Sequence, residues 1–189
     1  MRFDTKALLR LMKQSWRGGG VKIQRTEYRG LWDSFFITGT GWALLIPKEH
    51  CPSELTGQIV TWLADMPKIG EFKWVAKGCG PQDIPEGDKT IDLSRYTVGT
   101  YETGMVCLPI CTTSNALIQY SDSNLVAAFP LDAFAVVQAG ANFGFLDAET
   151  GIACWQDEDT QGLFWLCDNA DNIPQDVRDA AARFTPQKH

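Results

Sequence analysis

Apolar residues recur at helical spacing near the start of the chain and predict a helix over residues 3–16. Its apolar stripe consists of Phe3, Ala7, Leu8, Leu11, Met12 and Trp16. The glycines at 18–20 would end this helix. Strand-like runs follow at residues 21–26, 31–38 and 42–46, separated by glycine-containing turns. The chain is therefore expected to open with a helix and a three-stranded meander.

A second helix is predicted over residues 53–65, with Ser53 as its N-cap and Pro67 at its end. A short strand over residues 71–76 then leads into the segment of the chain that is richest in glycine and proline. Beyond it, apolar runs predict strands at residues 96–101, 105–110, 116–120 and 125–129, with the last two joined by a turn at 121–124. The middle of the chain is thus expected to be rich in strands.

A third helix, residues 131–138, is predicted after Pro130 and before Gly140. A second meander follows, with strands at residues 143–146, 152–156 and 163–167, and a helix over residues 174–184 closes the chain. The predicted fold class is α+β, with repeated helix-plus-three-strand meander units, mostly antiparallel sheet and a C-terminal helix. We expect a basic α+β subdomain at 1–77, a turn-rich junction at 78–94 and an acidic β-rich subdomain at 95–189, packed as two subdomains or as one compact domain.

In architecture alone, the repeated helix-plus-three-strand unit resembles the units from which DNA sliding clamps are built. That resemblance implies helices that line a DNA-sized hole with basic residues. The first helix agrees with this, because Lys6, Arg10, Lys13 and Arg17 fall within a wedge of about 60° opposite its apolar stripe. The acidic remainder of the chain argues against it.

Charge divides the chain into two parts. Residues 1–77 carry a net charge of +5 and residues 78–189 a net charge of −11. The 82 residues from Tyr96 to Val177 contain eleven carboxylates and no Lys, Arg or His. Charge patterning of this kind bears on partners and association rates rather than on the reaction that a protein catalyses.

Many of these carboxylates fall at predicted turns close to two tryptophans, and loops lie on the surface. The residues expected to contact a partner are Asp147, Glu149, Trp155, Asp157, Glu158, Asp159, Trp165, Asp168 and Asp171. Without basic neighbours, the acidic residues would produce a negative potential that attracts a basic protein, in imitation of a nucleic acid. Trp155 and Trp165 are expected to act as anchors of that interface. The alternatives are a solubilising surface, or a face that pairs with the basic first helix within the chain or in a homo-oligomer.

The sequence contains a few residues that could form metal-binding or catalytic sites, and no motif that identifies one. The turn at residues 157–162, taken with Asp168, matches a calcium-binding loop approximately, but its flanks, residues 152–156 and 163–167, are predicted strands. The six cysteines include no CxxC pair, so a zinc site formed by Cys51, Cys79, Cys107 and Cys111 is not favoured, and the thiols are expected to be reduced and mostly buried. His50 could serve as the base for a thiol such as Cys79 only if the fold brings them together. We expect no metal and no cofactor.

The sequence favours a cytosolic, non-enzymatic binding protein whose acidic surface engages and inhibits a basic, nucleic-acid-binding protein. Toxin immunity proteins and phage anti-restriction or anti-CRISPR proteins resemble it in this general character. The first alternative is a DNA-processing accessory protein that contacts DNA through Lys6, Arg10, Lys13 and Arg17. The second is a cysteine-dependent enzyme.

Overall fold

The structure is a computed structural model that describes residues 3–28, 30, 32–84, 105–120, 126–138, 143–147, 150–169 and 173–183. The helices in this part of the chain are α1 (Thr5–Gly18), α2 (Ser53–Leu63), α3 (Leu131–Gln138) and α4 (Gln175–Ala182). The strands are β1 (Val21–Tyr28), β2 (Trp32–Gly39), β3 (Trp42–Pro47), β4 (Phe72–Ala76), β5 (Cys79–Asp83), β6 (Met105–Cys111), β7 (Asn115–Tyr120), β8 (Val126–Pro130), β9 (Phe143–Asp147), β10 (Ile152–Asp157) and β11 (Gly162–Cys167). The predicted α+β class is confirmed.

Eight of these strands form one antiparallel sheet in the order β5-β4-β1-β2-β3-β11-β10-β9. The pairing of β3 with β11 joins the two parts of the chain within this sheet, since Leu44 of β3 lies opposite Phe164 of β11. The remaining strands, β6, β7 and β8, form a separate three-stranded sheet. Strands from residues 1–77 and from residues 95–189 thus belong to one continuous sheet.

The predicted helix-plus-meander unit occurs twice, as α1-β1-β2-β3 and as α3-β9-β10-β11. The third strands of the two units, β3 and β11, pair antiparallel with each other, and α1 packs against α3. An approximate twofold axis between the two units would pair their equivalent strands in this antiparallel way.

Helices α1, α2 and α3 and the small sheet cover one face of the large sheet. The main core includes the fully buried Leu8 and Met12 of α1, Ile59 of α2, Phe129 of β8 and Phe164 of β11. Aromatic contacts tie the layers together: Trp16 stacks on Trp62 with ring centroids 5.7 Å apart. Burial of this apolar surface is the main favourable contribution to folding.

The first helix was predicted over residues 3–16 but begins after Asp4, an N-cap whose side chain accepts hydrogen bonds from the backbone N–H groups of Lys6 and Ala7. The second helix differs from expectation at both ends. Ser53 is its first residue rather than its N-cap, which is Pro52 and makes no side-chain hydrogen bond. It stops at Leu63, because Ala64 adopts a left-handed conformation with φ of 66° before Pro67 is reached.

The expected junction is partly a strand. Residues 79–83 pair with β4 and form the edge strand β5, so regular structure extends past residue 78. Pro130 is the last residue of β8 rather than part of α3, although the bounds of α3 agree with the prediction. The strand predicted at 96–101, the turn at 121–124 and the cap at Gly140 lie outside the described residues.

Candidate partner-binding surface

Asp157 was expected on the acidic surface but lies inside the protein, with none of its surface exposed. Its carboxylate accepts hydrogen bonds from the backbone N–H groups of Phe3 at 3.2 Å, Asp159 at 3.0 Å and Thr160 at 3.3 Å. It therefore ties the start of α1 to the turn between β10 and β11. A buried carboxylate needs such donors because losing hydration is costly. This corrects its assignment as a partner contact.

The two tryptophans that were expected to anchor a partner are also internal. Trp155 is 5% exposed and contacts the rings of Phe129 and Phe134 edge-on. Trp165 is 4% exposed and meets Phe36 at a ring distance of 6.2 Å. Most of their apolar area is already used in packing, so neither indole projects from the surface as an interface anchor would. The expectation that they act as interface anchors is corrected accordingly.

The described acidic residues that remain do not form one patch. Glu158 and Asp159 are exposed in the turn between β10 and β11. Asp147 and Asp168 lie at the opposite end of these strands. Six residues of strand separate the two ends by about 20 Å. Glu149 and Asp171 lie outside the described residues.

The end that contains Asp168 has a concave surface, which we call the acidic cleft. It has a volume of about 440 Å³ and lies where the C-terminal end of α1 meets the turn before β3, the start of α3 and the residues after β11. Its polar and charged lining residues are Gln14, Ser15, Thr40, Asp132, Asp168 and Asn169. None of its described lining residues is basic. It is therefore a concave surface of negative charge.

Hydrogen bonds hold both carboxylates of the acidic cleft in position. Asp168 accepts the backbone N–H of Ala128 at 2.8 Å, and Asp132 accepts the side-chain amide of Gln14 at 3.0 Å. Asp147 is joined to this end through Gly151, whose N–H donates to the Asp147 carbonyl and whose carbonyl accepts from the Asp168 N–H. The side chain of Asp147 also accepts a hydrogen bond from Thr150.

The cleft includes residues that sequence reasoning did not select. Asp132 belongs to the acidic stretch, but only its position in the first turn of α3 brings it close to Asp168. Gln14 and Asn169 carry no charge and gave no signal at all. They join the site because α1 packs against α3 and because β11 ends beside both helices.

The basic stripe, which consists of Lys6, Arg10, Lys13 and Arg17, is exposed along its whole length. Within the described chain, none of the four side chains makes a hydrogen bond or ion pair. The turn between β4 and β5 adds exposed Lys77 near the end of the stripe, because the Lys77 N–H donates to the Trp16 carbonyl at 2.8 Å.

The thiols and the histidine do not assemble a recognisable centre in the described residues. Cys154 is buried and Cys51 is half-buried, but Cys79 and Cys167 are exposed, so burial of the thiols is less general than expected. Burial raises the pKa of Cys51, and partial desolvation of the exposed residue's thiol together with nearby Asp168 raises the pKa of Cys167. Both shifts oppose the thiolate form that a nucleophile needs. The side chains of Cys107 and Cys111 are not described.

His50 lies 3.5 Å from the carboxylate of Glu49 in a short 3₁₀ helix, Lys48–His50. The segment that resembled a calcium loop joins strands β10 and β11, as its flanks predicted. No three His, Cys, Asp or Glu residues are grouped as metal ligands in the described ranges. Among the helices of those same ranges, none has the length and apolar character needed to cross a membrane.

Comparison of the chain with protein-family models, with curated proteins and with solved structures finds no match. The likeness to DNA sliding clamps therefore rests on the order of helices and strands alone.

Proposed function

We propose that this chain is a non-enzymatic binding protein that engages a basic protein partner through the acidic cleft. The observation that supports this most is that Asp132 and Asp168 line one concavity of about 440 Å³ that has no basic residue among its described lining residues. A concave site presents both charges to one bound side chain at the same time, so a cation is attracted more strongly there than beside either charge alone.

An arginine side chain fits the cleft best. Asp132 and Asp168 offer carboxylate oxygens, while Thr40 and Asn169 add neutral oxygen acceptors. A guanidinium group has five N–H donors in a planar fork and can use several such acceptors at once, whereas a lysine ammonium acts as a point charge. The end of α1 adds the negative end of a helix dipole.

The class of partner that we propose is a nuclease or another nucleic-acid-binding protein. Such proteins present arginine and lysine side chains to phosphates, and an acidic surface that occupies those side chains inhibits them. Toxin immunity and phage anti-defence are biological roles that fit such an inhibitor. With the whole chain at −6, long-range attraction would also speed association with a basic partner.

Two charge-neutral variants test the role of the cleft. Asp132→Asn with Asp168→Asn removes two charges at the cleft, and Glu158→Gln with Asp159→Asn removes two charges at the opposite end of the strands. Binding of a fluorescent deca-arginine peptide is measured by anisotropy at several salt concentrations. We expect the cleft variant to lose about tenfold in affinity and to show a weaker salt dependence, and the distal variant to lose less than about twofold. Equal losses in the two variants would indicate attraction by net charge alone and would contradict the proposal.

A second candidate function, contact with DNA, is favoured by the basic stripe. Lys6, Arg10, Lys13 and Arg17 project into solvent over about three helical turns, and exposed Lys77 lies near their end. Four cations in a row could neutralise about four phosphates, which predicts steeply salt-dependent binding.

Retention on heparin and on duplex DNA separates the two candidates. If DNA contact is the function, the wild type is retained on both, and reversal of the four stripe residues to Glu abolishes retention. If the acidic cleft carries the function, the wild type is excluded from both. Size-exclusion chromatography of the stripe variant at low salt also tests head-to-tail oligomers, which would dissociate when the stripe is reversed.

A further inference from the structure

The large sheet carries a second concavity on the face turned away from α1. It has a volume of about 240 Å³, and its walls come from five adjacent strands, β1, β2, β3, β11 and β10. We infer that this sheet pocket binds a small carboxylate that has an aromatic or aliphatic body. The inference is independent of the acidic cleft, since it concerns a small-molecule ligand.

One row of side chains across the sheet forms the centre of the pocket. Lys22 of β1 lies opposite Thr38, Thr38 opposite Ala43 of β3, and Ala43 opposite Trp165 of β11. Directly opposed residues in antiparallel strands project from the same face, so these four side chains stand side by side. The row is about 14 Å long, because neighbouring strands are separated by about 4.8 Å.

Ala43 makes the depression in this row. Its methyl group lies between the longer side chains of Thr38 and Trp165, so it forms the low point of the row. Phe36 and Trp165 form aromatic walls, with ring planes inclined at 75° and centroids 6.2 Å apart. An aromatic or aliphatic ligand body would contact these walls and Ala43 and would lose its apolar hydration there.

Lys22 gives the pocket its charge preference. Its side chain is half-buried and lines the pocket, and it has no ion pair in the described part of the chain. The hydroxyl group of Thr38, directly across the ladder, is a second polar group on the same side. An ammonium group beside a hydroxyl can donate hydrogen bonds to one carboxylate.

The size and polarity of the pocket restrict the ligand further. Its volume is below the range of about 300 to 1,000 Å³ that is typical of pockets for drug-sized molecules. Lys22 is the one basic residue among the described lining residues, so a doubly charged phosphate would stay only partly compensated. A compact monocarboxylate, such as an arylacetate or a medium-chain fatty acid, matches both limits.

Calorimetric titration of the full chain with phenylacetate and with its neutral counterpart phenylacetamide tests the inference. We expect phenylacetate to bind about tenfold more tightly than phenylacetamide. Lys22→Met, which keeps an apolar stem but removes the charge, is expected to lose this preference. Lys13→Met is the matched control, because it removes one lysine charge from the exposed face of α1, and it is expected to keep the preference.

A second variant tests the depression itself. Ala43→Leu would fill the floor of the pocket and is expected to weaken binding of both probes, with hexanoate as a third, aliphatic probe. Thermal unfolding shows whether this variant is folded. If it is not folded, the comparison of Lys22→Met with the wild type still tests whether the pocket binds a carboxylate. Equal affinity for phenylacetate and phenylacetamide, an unchanged preference in Lys22→Met, or no binding of phenylacetate and hexanoate at millimolar concentration would each overturn the inference.

Discussion

Asp157, Glu158 and Asp159 are consecutive acidic residues with different surroundings. The first is fully buried and accepts three backbone hydrogen bonds, while the other two are exposed in the turn. The backbone of the turn directs the Asp157 side chain inward, toward the start of α1. Of these three consecutive acidic residues, one is therefore a structural carboxylate. Only the two exposed residues contribute to the surface potential.

Replacement of Asp157 by Ala is expected to lower the free energy of unfolding by about 2 to 3 kcal/mol, because buried N–H groups lose a charged acceptor. Glu27→Ala is the control, since it removes a carboxylate from an exposed position of β1 and should change stability by less than about 0.5 kcal/mol. Urea unfolding followed by tryptophan fluorescence measures both. Similar values for the two variants would show that the hydrogen bonds of Asp157 contribute little.

Asp33 is predicted to make stability depend on acidity. Hydrogen bonds from Arg25, at 2.8 and 2.7 Å, lower the pKa of Asp33, aided by the charges of Arg25 and Lys48. Because the folded pKa is below the unfolded one, this stabilisation is complete above the ordinary carboxyl pKa and is lost as the pH falls through the folded pKa. The pair is partly exposed, so its contribution is at most about 1 kcal/mol.

The measurement is urea unfolding at neutral pH and at successively lower pH, for the wild type and for Asp33→Asn. The wild type should be the more stable at neutral pH, and the difference should narrow under acid conditions. A constant difference across the pH range would mean that the ion pair does not cause it.

At the scale of elements, the ends of the helices differ in how well they are capped. The start of α1 has a side-chain cap, whereas α2 begins without one and ends on a non-glycine residue in the left-handed region. A left-handed conformation is costly for a residue with a Cβ atom, and glycine is the usual choice at such a position. The second helix is therefore held by packing of Leu55, Ile59 and Leu63 more than by its termini.

Ala64→Gly is expected to raise the free energy of unfolding by about 0.5 to 1 kcal/mol, because φ of 66° costs glycine nothing. Ala64→Val is the matched opposite and should destabilise the protein, since a β-branched side chain is strained in that region. Thermal and urea unfolding of both variants provide the check. If glycine is neutral or destabilising, the end of α2 is not strained as described.

At the scale of the whole molecule, the pairing of β3 with β11 makes the two ends of the chain interdependent. Residues from both ends share one core, in which Leu8, Phe35, Phe129 and Phe164 are all fully buried. Contacts of this kind, between distant parts of the sequence, favour a single cooperative unfolding transition. The junction expected at 78–94 would then mark a change in net charge along the chain and would not divide it into separately folding units.

Leu8→Ala is expected to destabilise the protein by about 2 to 5 kcal/mol, by leaving a cavity beneath α1. If the sheet is one cooperative unit, hydrogen exchange measured by mass spectrometry should accelerate equally in β1–β3 and in β9–β11. Acceleration confined to β1–β3 would instead identify two independently folding subdomains.

Much of the fold could be predicted because its elements are encoded locally. The helix at 131–138 and the two meanders follow from periodicity and turn residues, and their bounds agree with the structure to within a few residues. The helix ends were less predictable, because Ala64 carries no sequence signal for the left-handed conformation that it adopts. The candidate site was the least predictable part, because Asp132 and Asp168 are 36 positions apart in the chain.

The sequence by itself determined the α+β class, the repeated helix-plus-meander unit, the exposed basic stripe and the net negative charge, because each depends on residue type and short-range spacing. Only the tertiary structure decided which acidic residues lie on the surface, that Trp155 and Trp165 belong to the interior, and that a cleft and a sheet pocket exist. The physical reason is that burial and concavity arise from the pairing of β3 with β11 and the packing of α1 on α3. Those contacts join residues that are far apart in the chain, and local pattern does not specify them.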